Sequence, residues 1–194
     1  MGKYILSAAM VLMMSFAFSQ AKVELGLKGG LNLANISSDV DATYNSRTGY
    51  HLGAYGLIKV ASIGIQPELL FSAQGTEYSF ASISNDYSQE LKYFLVPVMV
   101  KFYLPLGINL HAGPQFGVLT SAKLDDGTTT EDIKSELKNS DVSAAFGAGW
   151  DMPFGLSLAA RYVLGLNDIS EGDGDAKNRV FQVSVGFRLF KVGK

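Results

Sequence analysis

Eight stretches of this chain alternate between apolar and small or polar residues with a period of two, and that pattern constrains the fold more than any other feature. The first stretch is the clearest. Val23, Leu25, Leu27, Leu31 and Leu33 take the odd positions, with Gly29 among them; Lys22, Glu24, Gly26, Lys28, Gly30 and Asn32 take the even ones. An extended strand turns these two sets to opposite faces. The alternation returns over 50–60, 65–76, 91–103, 108–119, 141–152, 156–167 and 179–190. In the last of these, Phe181, Val183, Val185, Phe187 and Leu189 oppose Gln182, Ser184, Gly186 and Arg188. After residue 19 no apolar run approaches the ~20 residues of a membrane-spanning helix.

The connections alternate in length. Segments 61–64, 104–107 and 152–155 are tight and carry Pro105, Pro153 and glycines at turn positions. Segments 35–49, 77–88, 122–139 and 168–177 are long and polar. Short turns on one rim and long loops on the other describe an eight-stranded, antiparallel, up-and-down transmembrane β-barrel. Strands of about 10 residues suit the hydrocarbon thickness. Within the loop 122–139, the i, i+4 spacing of Ile133 and Leu137 admits a short helical turn.

A soluble lipocalin-like barrel alternates too, but it turns its apolar face inward onto a ligand cavity and its polar face to water. Here the second face is mostly Gly, Ser, Ala, Asn and Gln with a few charges, which suits a crowded interior. The oily face bears almost no charge; in water it is an aggregation hazard, in lipid a requirement. Aromatic residues gather at strand ends: Tyr50, Tyr78, Phe80, Tyr87 and Tyr93 by the long loops, and Phe102, Tyr103, Trp150, Phe154, Phe187 and Phe190 by the short turns. They predict two interfacial girdles.

Composition excludes several function classes. A net charge of −2 and a sequence pI near 5.7 argue against a nucleic-acid binder. Cysteine is absent, which removes disulfides, thiolate metal sites and cysteine nucleophiles. The two histidines, His51 and His111, stand sixty positions apart with no metal-ligand spacing. No phosphate-cradling glycine loop or nucleophile elbow is present. A loop-based hydrolase using His51 or His111 lacks a nameable third member, so the reading is of a protein that is not an enzyme and needs no cofactor.

Charge sorts by region. The long loops hold thirteen acids and five bases, a net of −8; the rest of the chain beyond residue 19 nets +5. Acidic loops on a lipopolysaccharide surface can share its divalent cations. Glu171, Asp173 and Asp175, alternating with Gly172 and Gly174, form a weak candidate cation loop that lacks a full twelve-residue pattern. The inward phase places Glu24, Lys28, Glu68, Lys101, Asp151, Arg161 and Arg188 in the lumen. Buried charges need partners, so a structural network is expected, with Glu68 opposite Lys101 on neighbouring strands and Glu24 near Arg188 where the first and last strands close. An open, selective channel is the competing reading, set against an eight-stranded interior that side chains fill.

Residues 1–19 pair a basic Lys3 with an apolar stretch and end on Ala17 and Ser19 at cleavage-site positions. This is the pattern of a secretory signal peptide; fourteen residues from Ile5 to Phe18 are short for a membrane anchor. The expected division is a cleaved signal over 1–19 and a barrel over 20–194.

Several segments resemble the PorT-like outer-membrane β-barrel family, often labelled "porin family protein". They are GLKGGLNL at 26–33, ELLFSAQG at 68–75, YFLVPVMVKF at 93–102, Gly113-Pro114, Arg161-Tyr162, Gly165-Leu166 and Asp168-Ile169. The resemblance implies an eight-stranded barrel in a Gram-negative outer membrane, surrounded by lipid and lipopolysaccharide, with both termini in the periplasm. It carries over no catalytic residue. One departure bears on the barrel-assembly machinery: many such barrels end on an aromatic, whereas here Phe190 is followed by Lys191, Val192, Gly193 and Lys194. The resulting expectation is a scaffold, structural or adhesive, that displays acidic loops above a filled lumen.

Overall fold

The computed structural model describes residues 21–37, 43–79, 86–125, 129–134, 139–166 and 177–193. Its strands are β1 (Lys22–Ser37), β2 (Thr43–Val60), β3 (Ile63–Ser79), β4 (Asp86–Tyr103), β5 (Ile108–Asp125), β6 (Thr130–Asp132), β7 (Ser140–Asp151), β8 (Leu156–Gly165) and β9 (Lys177–Val192). Eight of them form the wall, each antiparallel to its neighbours. β1 pairs with β9, Leu27 opposite Phe187 and Leu33 opposite Phe181, and this pairing closes the ring. The ninth, β6, is a three-residue extension that pairs only with the end of β5, Leu124 opposite Glu131. The helical turn expected from Ile133 and Leu137 would follow it: Lys134 is in 3₁₀ conformation, and Leu137 lies outside the described residues. No helix among the described residues is long and apolar enough to cross a membrane.

The three tight turns use left-handed backbone where the chain must reverse sharply. Ala61 sits at φ 51 between β2 and β3. A 3₁₀ turn, Pro105–Gly107, joins β4 to β5 with Leu106 at φ 65 and Gly107 at φ 83. Between β7 and β8 the Met152 N–H donates to Leu156 O at 2.8 Å, and Gly155 takes φ 99.

The alternation reads directly onto the two faces. Leu25, Leu27, Leu52, Leu69, Phe116, Val183 and Phe187 are all exposed on the outer surface. This overturns the lipocalin-like alternative, in which these side chains would line a cavity. The inner face holds Glu24, Lys28, Asn32, His51, Glu68, Lys101, His111, Gln115, Arg161 and Gln182, all buried.

Three expectations need correction. The wall strands are longer than ten residues on one side of the ring: β2, β4 and β5 have 18 residues each, β7 and β8 only 12 and 10. The inner face is less polar than it reads: Leu70, Leu91, Tyr93, Leu95 and Leu119 form a buried cluster inside the long-loop half, capped by Ile133 just after β6. Met99, Ala145, Val163 and Val180 form a second. Where a strand is apolar on both faces, as β4 is, the apolar residues by themselves do not mark the inner side. Tyr93 and Tyr103 therefore belong to the lumen, buried, and not to the girdles. Phe102, Trp150, Phe154, Phe187 and Phe190 are exposed on the outside. The side chains of Tyr78, Phe80 and Tyr87 lie outside the described residues.

Candidate functional site

In a ring of eight, β3 and β8 are four strands apart in either direction, so they face each other across the full lumen. Glu68 on β3 and Arg161 on β8 span that diameter. Arg161 Nη2 donates to Glu68 Oε1 at 2.8 Å and Nη1 to Oε2 at 3.0 Å, a bidentate fork. Lys28 on β1 adds contacts of 3.1 and 3.2 Å to the same two oxygens, and Gln66 Nε2 donates to Oε1 at 2.7 Å. One carboxylate thus receives five donor contacts from three strands. The side chains of Glu68, Arg161 and Lys28 are 0%, 2% and 5% exposed, so water does not screen the cluster.

A second charged layer lies nearer the short-turn rim. Lys101 Nζ approaches Asp151 Oδ2 at 2.9 Å, and the Tyr103 hydroxyl donates to the same oxygen at 2.6 Å. Arg188 Nη1 donates to Glu24 Oε1 at 3.0 Å, and Lys22 meets Glu24 at 2.6 Å. Lys59 Nζ stands 3.5 Å from the centre of the Tyr103 ring. All of these groups but Lys101 line a vestibule of about 640 Å³ at the short-turn rim.

All seven side chains singled out from the sequence face the lumen, but the partners differ from the expected ones. Glu68 does not pair with Lys101. The register sets Lys101 opposite Gly64, four residues from Glu68 along β3, or about 13 Å at strand rise. The expected equality of height compared two turns that join different strand pairs. Glu24 and Arg188 do meet, across the β1–β9 seam.

A neutral layer sits towards the long loops. His51 Nδ1 is 2.8 Å from Asn32 Oδ1, and His51 Nε2 is 2.9 Å from Ser184 Oγ. Asn32 Nδ2 donates to Ser72 Oγ and Ala73 O, both at 2.9 Å. That fixes Asn32 Oδ1 as the acceptor for His51 Nδ1–H, so Nε2 accepts from Ser184. A Ser–His–Asn relay of this kind has the order of a hydrolytic triad. The sequence hid it, because its members stand on β1, β2 and β9 and only the closed ring joins them. Here it has no room for a substrate: Ser184 is 2% exposed, and the neighbouring void measures about 20 Å³, enough for one water. The relay stitches the three strands together.

His111 also points inward, against Gly147 on β7; a Cβ at Gly147 would meet the imidazole Nε2 and the Ala160 carbonyl. Small residues opposite large ones let so narrow a barrel fill. Among the described residues no group of His, Asp and Glu could hold a metal ion. Glu171, Asp173 and Asp175 lie outside the described residues, as do most of the acids of the long loops.

The family model described as "Outer membrane protein beta-barrel domain" matches residues 18–171. The chain belongs to this family. Solved structures agree on the fold. Neisserial surface protein A matches with a TM-score of 0.60 at 11% identity, over 85% of this chain and 97% of that one. Ail, the attachment invasion locus protein of Yersinia pestis, solved in complex with the heparin analogue sucrose octasulfate, matches with a TM-score of 0.51 at 16% identity, over 88% and 99%. No curated protein matches the sequence. For an outer-membrane barrel the exposed apolar girth is the lipid-facing surface, which explains why so many large side chains lie outside and so many charges inside.

Proposed function

We propose that this outer-membrane barrel is a non-conducting scaffold whose working surface is its acidic long loops. The observation that supports this best is the lumen. The Glu68–Arg161 fork crosses its diameter, Lys28 fills a third side, and the apolar cluster around Leu95 stands above. The void beside Lys28 and Arg161 measures about 20 Å³ and the next one, between Gln66 and Arg188, about 10 Å³, which leaves no path for a hydrated solute. The short turns and both ends of the strand array share one rim, which we assign to the periplasm. The motifs at 26–33 and 93–102 support a place among PorT-like barrels.

The partner follows from charge. Ail was solved with a sulfated polyanion. The long loops here carry a net −8, so the partner of this chain is a basic surface, or a lipopolysaccharide phosphate bridged by divalent cations. No catalytic role is assigned.

Two measurements test the reading. In planar bilayers the purified protein should add no conductance steps; reproducible steps would install the channel reading instead. Liposomes carrying the protein should be captured by a polylysine surface in a salt-sensitive way and not by heparin. Capture by heparin, or no capture by polylysine, would overturn the adhesive assignment.

A further inference from the structure

At mid-height the buried charges of the lumen do not balance locally; Asp141, a further buried carboxylate, lies opposite Gly117, six residues along β7 from the Gly147 that pairs with Arg161. Lys28 and Arg161 share the single carboxylate of Glu68, and Lys101 is matched by Asp151, which leaves an excess of one cation at mid-height. Between these two clusters lies a void of about 20 Å³, bordered by Lys28, Lys101, Arg161, His111, Asp151 and Ser184. Two of these side chains bring buried nitrogens with no hydrogen-bond partner, Arg161 Nε and His111 Nε2. Arg161 is 2% exposed and His111 4%. Asp151 already spends Oδ2 on Lys101 and Tyr103.

A buried N–H on a guanidinium is among the costliest groups to leave unpaired. The void has room for one water-sized species. The surrounding charge favours an anion there over a neutral molecule. Asn109 supplies a further link: its Nδ2 is also without a partner, while its Oδ1 lies 3.1 Å from His111 Nδ1. A half-turn of that amide pairs Nδ2 with Nδ1 and leaves the imidazole proton on Nε2, where it can donate into the void. We infer that the void is a binding site for one small monovalent anion of chloride size, held by the N–H groups of Arg161 and His111 and neutralising the excess cation of the Lys28–Glu68–Arg161 cluster. The site is part of the closed lumen and does not depend on what the loops bind.

Bromide is the probe. Crystals of the full chain grown with sodium bromide should show one anomalous peak within hydrogen-bonding distance of Arg161 Nε; a water there, or an empty void, overturns the proposal. The second test is the temperature at which the detergent-folded protein loses its fast-migrating gel band. Chloride and bromide should raise that midpoint saturably relative to gluconate at equal ionic strength, because gluconate is too large for the void. An anion bound only to the folded state at a hundredfold excess over its Kd lowers the unfolding equilibrium constant about a hundredfold. Lys28→Met removes the surplus charge while Glu68 keeps its fork to Arg161, so in this variant the halide dependence should largely vanish. Equal midpoints in halide and gluconate, or a Lys28→Met variant with undiminished halide dependence, would refute the site.

Discussion

Replacing Glu68 by Gln keeps the shape of the side chain and deletes one charge, at the point where the lumen is most tightly coupled. The substitution strands two buried cations at once, since Arg161 and Lys28 both take Glu68 as their carboxylate. Breaking a buried pair from one side costs about 3–5 kcal/mol, because the remaining charge stays desolvated. Two stranded cations place Glu68→Gln near the upper end, about 5 kcal/mol. Lys28→Met is the internal control. It leaves Glu68 bonded by Arg161 through two contacts and by Gln66 through one. Exchanging a buried ion for an apolar side chain that keeps its neighbours paired is often close to neutral, so this loss should stay within about 1 kcal/mol.

Trp150 is the only tryptophan and lies on the lipid face, so its fluorescence reports the loss of the barrel during urea titration in liposomes. The double mutant Glu68→Gln with Arg161→Met should recover part of the loss, because fewer charges are left alone. Combining Glu68→Gln with Lys101→Met should show weaker coupling, since Lys101 answers to Asp151. If Glu68→Gln costs no more than Lys28→Met, or if the Glu68–Arg161 cycle is additive, the cross-lumen fork does not hold the barrel.

Further outcomes follow from other layers of the structure. Ala61→Gly should stabilise by about 0.5 kcal/mol in the same titration: the left-handed φ of 51 strains any Cβ by ~1–2 kcal/mol, and the flexibility of glycine returns part of that. Leu95→Ala should cost about 2–5 kcal/mol, because Leu95 is fully buried against Leu70, Tyr93 and Leu119 and leaves a cavity in a narrow lumen. Leu27→Arg tests which solvent meets the wall. Leu27 is 51% exposed, a degree at which a water-facing site would lose little, yet it sits five residues above the short-turn rim in the lipid band, where arginine costs about 2–4 kcal/mol. A loss under about 0.5 kcal/mol there would argue that this face meets water.

The fold was legible because a closed barrel asks only one binary question of each residue, and the period of two answers it. Leu27 outward and Lys28 inward follow from neighbouring positions alone, and the alternation of short and long connections supplies the up-and-down order. The answer fails where both faces are apolar. In the run YFLVPVMVKF of β4, the apolar residues alone do not say that Leu95 and Met99 turn inward while Phe94 and Val100 turn out; Lys101, near the end of the run, settles the phase, and Leu95 and Met99 follow from it at intervals of two. That signal was in the sequence and predicts an apolar layer inside the lumen.

The partners within the site were less legible, for a geometric reason. Strand register names neighbours along the wall, and the seam pair Glu24–Arg188 could be anticipated from it. Contacts across the lumen obey a different rule: a strand faces the one four places away, and only side chains long enough to meet across the diameter can pair there. Arginine and glutamate together reach that far, so Glu68 on β3 meets Arg161 on β8, while the register holds Lys101 on adjacent β4 four residues away along the strand. The shorter Asp151 is confined to partners two strands away, Lys101 and Tyr103 on β4. Counting strands around the ring and weighing side-chain length would have separated these two pairings from the sequence, and the same rule explains the His51 relay, whose members on β1, β2 and β9 are all within two strands of one another.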